Sequence, residues 1–123
     1  MKYAIIIARV LLGLVFVVFG SNAFLHFIPM PAMQGQAGAF IGALISSGYI
    51  YPIAILQIVG GLLLLIGRFI PLGLTLLGPV IVNIMLYHIF LDPVGLPMAC
   101  VISLLALFLL WAYRDRFPAI FHP

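Results

Sequence analysis

Four long apolar stretches constrain the fold of this chain more than any other feature of its sequence. They run over residues 3–25, 50–66, 71–91 and 96–113. A helix that crosses the hydrocarbon core of a bilayer needs about 20 predominantly apolar residues, within a range of about 17–25. Each stretch falls in that range. The sequence therefore predicts four membrane-spanning helices in a single domain, residues 1–123.

The composition requires lipid as the solvent of this domain. Of its residues, 67% are hydrophobic and 6% are charged, whereas soluble domains are about 45–50% apolar and about 25% charged. The net charge of +3 is small and scattered, which argues against a nucleic-acid partner. The single cysteine, Cys100, cannot form an internal disulfide, and no metal-binding or nucleotide-binding motif is present. We expect an all-α membrane protein in contact with the bilayer, with no metal site and no covalently bound cofactor.

The connection between the first two spans contains a further helix. Pro29 and Pro31 interrupt the backbone hydrogen bonding after the first span. Residues 37–47 then have the composition of a short helix, which Gly48 ends. This helix is too short to cross a membrane, so we expect it at the membrane surface. The predicted architecture is a four-transmembrane-helix bundle with a short interfacial helix between the first and second spans.

Basic residues predict the orientation of the bundle. Lys2 precedes the first span, Arg68 separates the second from the third, and Arg114 and Arg116 follow the fourth. With four crossings these positions share one side, which the positive-inside rule makes the cytoplasm. We therefore expect a multi-pass protein of the cell (inner or plasma) membrane with both termini cytoplasmic.

Polar side chains within the spans gather in the predicted outer half of the membrane. In hydrocarbon such groups need partners, so they indicate the bundle interior or a binding site. Each also has a structural interpretation: Gln57 as an interhelical contact, Asp92 as a helix cap before Pro93, and His26 as a residue at headgroup level. The predicted ligand-binding residues are Asn22, His26, Gln57, Asn83, His88 and Asp92.

One pair of residues and one arginine carry more specific expectations. His88 and Asp92 are one helical turn apart, a spacing that allows an imidazole–carboxylate hydrogen bond, either as a proton-handling pair or as a structural link. Arg9 lies about 9 Å along the first helix. It is expected either to extend to the membrane surface or to form a structural ion pair.

The order of several motifs resembles that of the DoxX family of membrane proteins. The matching segments are Ala8-Arg9, residues 11–14, Phe19-Gly20, His26-Phe27, residues 57–64, Gly67-Arg68 and Asn83. The resemblance covers almost the whole chain and implies a four-helix membrane bundle. Some members of that family are subunits linked to a quinone-dependent oxidoreductase. The family often has a glutamate where this chain has Gln57. An amide cannot carry protons, so this departure puts a proton relay in doubt.

Two functions fit these observations. The first is a non-catalytic bundle or subunit that binds a small apolar ligand, such as a quinone or a lipid, or a partner protein; a homo-oligomer is one form of such a partner. The second is a membrane component of a quinone-linked oxidoreductase in which His88 and Asp92 handle protons. We favour the first and do not expect the chain to be an enzyme by itself.

Overall fold

The computed structural model describes residues 1–25 and 35–118. This part of the chain is helical, with two short 3-10 turns at Pro93–Gly95 and Arg114–Arg116. The α-helices are α1 (Lys2–Leu25), α2 (Gly35–Ser47), α3 (Ile50–Ile66), α4 (Ile70–Phe90) and α5 (Leu96–Ala112). The predicted helices agree with these bounds to within two residues at each end.

Glycine and proline set the helix ends. Gly48 and Gly67 adopt left-handed φ angles of 80° and 81° at the ends of α2 and α3, a conformation in which a side chain would be strained. Pro71 and Pro97 lie in the first turns of α4 and α5, where a missing amide hydrogen costs no helical hydrogen bond. These residues explain why the helix bounds could be predicted so closely.

Four helices pack in a ring, in which α1 contacts α3, α3 contacts α4, α4 contacts α5, and α5 returns to α1. Gly13 of α1 contacts Gly61 of α3. About two helical turns further along α1, Gly20 contacts Ala54 of α3. Because the numbers rise in one helix and fall in the other, α1 and α3 are antiparallel. The start of α1, the α3–α4 turn and the end of α5 therefore lie at one end of the bundle. We call it the basic end, since it carries Lys2, Arg68, Arg114 and Arg116.

Adjacent glycines let α3 approach two neighbours closely. A Cβ atom at Gly61 would lie 2.8 Å from the Gly13 carbonyl oxygen, and one at Gly60 would lie 3.2 Å from the Gly73 carbonyl oxygen. Small residues allow close backbone contact between membrane helices. The core beside these contacts is aliphatic and aromatic; its fully buried large side chains are Leu12, Phe16, Leu64, Ile70, Leu77 and Leu109.

Three helices are long and apolar enough to cross a membrane: α1, α4, and α5 taken with the preceding 3-10 turn. A fourth crossing is obtained if α2 and α3 count as one broken span, bent by 88° at their junction. Much of this apolar surface faces outward: Phe90 is 75% exposed and Leu104 is 65% exposed. An outer surface of this kind is consistent with a membrane protein.

Candidate functional site

Gln57 lies in the contact between α1 and α3. A Cβ atom at Gly20 would lie 3.1 Å from the Gln57 Cβ atom, so the amide leaves α3 directly beside α1. Asn22 follows on α1 and is 8% exposed, the only buried polar residue in the described part of the chain. These two predicted residues therefore lie at a similar level of the bundle. Their role in binding a ligand stays a prediction.

Asn83 lies on the exposed surface of α4. Its Nδ2 atom donates a hydrogen bond to the Pro79 carbonyl oxygen of the same helix, 2.8 Å away. Thr75 acts in the same way, since its Oγ1 atom donates to the Pro71 carbonyl oxygen at 2.7 Å. Both side chains thus satisfy their donors within α4. The structure does not bring Asn83 and Gln57 together, because Asn83 is exposed on α4 while Gln57 lies in the contact between α1 and α3.

His88 contacts the backbone of Asp92 rather than its carboxylate. The His88 Nδ1 atom lies 3.0 Å from the Asp92 carbonyl oxygen. Because a carbonyl oxygen only accepts, Nδ1 carries the hydrogen, and Nε2 is the acceptor of the neutral ring. The expected imidazole–carboxylate bond was wrong. A carbonyl oxygen does not exchange protons, so this contact holds the chain in place and gives no support to a proton-handling pair.

The turn after α4 is built around this histidine. A Cβ atom at Gly95 would collide with the His88 ring, so the ring lies directly against the Gly95 backbone. The Asp92 carbonyl oxygen also accepts from the Gly95 amide at 3.3 Å. The Asp92 side chain makes no capping hydrogen bond, so the predicted side-chain cap was wrong as well. The remaining predicted residue, His26, lies outside the described residues.

Arg9 projects from α1 onto the end of α3. A Cβ atom at Gly67 would lie 2.6 Å from a terminal guanidinium nitrogen of Arg9, which places the planar group against the α3–α4 turn. The Arg9 Nε atom is buried and has no hydrogen-bond partner among the described residues. Of the two alternatives for Arg9, the structural ion pair is not formed within the described part of the chain, and extension to the membrane surface stays a prediction.

A cavity lies elsewhere in the described part of the chain, between α4 and α5. It is a groove of about 300 Å³, near the lower limit of the range of about 300–1,000 Å³ usual for ligand sites. None of the predicted ligand-binding residues lines it. Its walls are Leu74, Gly78, Ile81, Val82, Met85 and Leu86 of α4 and Ser103, Ala106, Leu107 and Leu110 of α5. We call it the α4–α5 groove.

Ser103 supplies the polar group of this groove. Its Oγ atom is buried and has no hydrogen-bond partner within the described residues. A serine in a membrane helix ordinarily donates to a carbonyl one turn earlier in its own helix, as Thr75 does here. A buried hydroxyl without a partner costs about 1–3 kcal/mol, and this one belongs to a residue that lines the groove.

Sequence reasoning missed the groove because apolar residues form nearly all of it. The available signal was the size of the side chains: Gly78 on α4 faces Ser103 and Ala106 on α5, and these three are too small to fill the space between two helices. A Cβ atom at Gly78 would meet nothing within 4 Å.

Among the residues that the structure describes, no group of three or more His, Cys, Asp or Glu side chains is placed to hold a metal ion.

Comparisons of the chain with protein-family models, with curated proteins and with solved structures find no match.

Proposed function

We propose that this chain is a non-catalytic membrane bundle that binds a small apolar molecule in the α4–α5 groove. In this proposal α1, α3, α4 and α5 each cross the bilayer of the cell membrane, α2 lies at the surface, and the basic end faces the cytoplasm. Membership of the DoxX family is part of the same proposal. It rests on the order of the sequence motifs.

The observation that carries the proposal is an apolar groove that contains one unpaired hydroxyl. Burial of apolar ligand surface supplies the affinity, at about 25 cal/mol per Å². A carbonyl group on the ligand would accept a hydrogen bond from Ser103, which removes the cost of the buried hydroxyl. Quinones and ester-linked lipids both combine an apolar body with such a carbonyl. Either class fits the groove chemically.

The groove opens toward the surface that would face lipid. Val82 of α4 is 58% exposed and Leu107 of α5 is 60% exposed, while Ile81 and Ala106 form the buried floor. A lipid-soluble molecule could therefore enter sideways from the bilayer without passing through water. The lining residues include no titratable side chain, and we assign binding rather than a reaction to the site.

Filling the groove tests this proposal. In Gly78→Leu the new side chain enters open space that belongs to the groove, so we expect loss of any quinone or lipid that is retained by the gently extracted protein. Gly42→Leu is the matched control, since a Cβ atom there also meets nothing within 4 Å and α2 does not line the groove. Native mass spectrometry of both variants gives the readout.

Ser103→Ala separates hydrogen bonding from shape. If the hydroxyl binds a ligand carbonyl, its removal should weaken retention about tenfold, the equivalent of one hydrogen bond, and leave the groove open. Equal retention of the molecule by the wild type, Gly78→Leu and Gly42→Leu would place it elsewhere on the protein and refute the proposal.

A further inference from the structure

The Arg9 guanidinium lies against the α3–α4 turn, and its buried Nε atom has no hydrogen-bond partner among the described residues. Arg9 is half-buried and lies seven residues from the start of α1 at Lys2, about 10 Å at the usual helical rise. The structure gives Arg9 no hydrogen bond from any of its nitrogen atoms to the described residues. A guanidinium group has five N–H donors and always carries its charge.

Neither carboxylate side chain of this protein neutralises that charge. The sequence contains two acidic residues: Asp92 follows α4 at the opposite end of the bundle, and Asp115 is exposed on the last 3-10 turn. The buried Nε atom is a donor on a charged group, and leaving such a donor without a partner costs at least about 1–3 kcal/mol. The negative end of the α3 dipole at Gly67 offsets only part of this cost, typically about 0.3–1 kcal/mol. An anion from outside the described chain would compensate this charge and supply acceptors for the guanidinium donors.

We infer that Arg9, lying on the Gly67 turn, forms a binding site for a phosphate group at the basic end of the bundle. Arginine binds phosphate oxygens through paired N–H donors. Gly67 is needed because any side chain there would occupy the space of the guanidinium and because its φ of 81° is left-handed. Lys2 and Arg68 at the same end add positive potential that attracts anions. A lipid headgroup and a phosphate ion free in solution both offer this chemistry.

This site is separate from the α4–α5 groove, so the inference does not depend on the proposed function. Arg9 lies between α1 and the end of α3, whereas the groove is lined by α4 and α5 alone. A failure of the groove experiment leaves the phosphate site unaffected, and the reverse also holds.

The test compares wild type with Arg9→Met in neutral detergent micelles, by thermal unfolding. Without added anions, Arg9→Met should unfold at the same or a higher temperature, because it lacks the buried donor that has no partner. Added phosphatidylglycerol should raise the unfolding temperature of the wild type and reverse the order. Its apparent affinity for Arg9→Met should be about tenfold lower or more, since charge-assisted bonds are lost. Phosphatidylcholine at equal mole fraction controls for bulk lipid.

Further measurements identify the source of the phosphate and test whether the effect is specific to Arg9. Arg114→Met removes a second basic-end arginine, one that lies over the exposed Trp111 ring, and should respond to phosphatidylglycerol like the wild type. Inorganic phosphate, against chloride at equal ionic strength, should stabilise the wild type more than Arg9→Met if the anion is free, and equally if it is a lipid headgroup.

The inference is overturned if neither phosphatidylglycerol nor inorganic phosphate distinguishes the wild type from Arg9→Met. Should Arg9→Met fail to fold, Arg9→Lys replaces it, because an ammonium keeps the charge but loses the planar pair of donors. The anion that stabilises the wild type should then raise the unfolding temperature of Arg9→Lys by less. An equal rise in both proteins would also overturn the inference.

Discussion

The contact between Gly13 and Gly61 allows a prediction whose size and sign follow from the structure. In Gly13→Ala the new methyl group would lie 2.8 Å from the Gly61 carbonyl oxygen and 2.9 Å from the Leu65 side chain. Ordinary van der Waals contact begins at 3.4 Å, so α1 and α3 must separate by about 0.6 Å (3.4 − 2.8) at this point. The partner is backbone on a packed helix, which cannot rotate away as a side chain could.

Two opposing terms decide the outcome. Replacing glycine by alanine in a helix favours folding by about 0.5–1 kcal/mol, while overpacking a close contact costs about 1–3 kcal/mol. The difference between these two terms lies between about 0 and 2.5 kcal/mol, so we expect Gly13→Ala and Gly61→Ala each to lower the free energy of unfolding by about 1 kcal/mol. Since both methyl groups force the same separation, the double variant should lose less than the sum of the two.

Gly78→Ala is the matched control, because a Cβ atom there meets nothing within 4 Å. Only the helix-propensity term remains, so this variant should gain up to about 0.5–1 kcal/mol. Equilibrium unfolding in detergent, followed by circular dichroism, measures the stability of the four variants and the wild type. A Gly13→Ala variant as stable as Gly78→Ala would show that the two helices do not approach as closely as the structure indicates.

Two other predictions concern the turn after α4 and the orientation of the bundle. Gly95→Ala should lower the unfolding temperature in the wild type but not in a His88→Ala background, because the obstructing ring is then absent; equal losses in both backgrounds would contradict this contact. In a variant lacking the native cysteine, a thiol at Gln36 should be labelled from outside intact cells and one at Arg116 should not, as the positive-inside rule requires. Reversed labelling would refute the orientation.

The helices were predictable because local chemistry sets their bounds. Gly48 and Gly67 end helices through left-handed φ angles, and Pro71 and Pro97 fix first turns. Both are properties of single residues that act on their own backbone. The approach of α1 to α3 has no such local cause, since the neighbour that a helix face meets depends on how the ring closes.

The predicted polar site was less well founded, and the reason is physical. A polar side chain in an apolar helix needs a hydrogen-bond partner, but its own backbone supplies carbonyl oxygens one turn away. Asn83 and Thr75 use these oxygens, and His88 uses the carbonyl oxygen of Asp92. Polarity by itself therefore did not indicate convergence on a common pocket.

The two polar groups that stand out in the structure are those that local backbone does not satisfy. The Ser103 hydroxyl and the Arg9 Nε atom are buried and have no partner within the described residues. In both cases the surroundings of the group depend on how neighbouring helices pack. The spacing of residues along one helix cannot predict that packing. A hydroxyl beside an apolar groove favours a neutral carbonyl, whereas a guanidinium on a helix end favours an anion. The chemistry of each unsatisfied group thus assigns it a different ligand, at a different place in the same bundle.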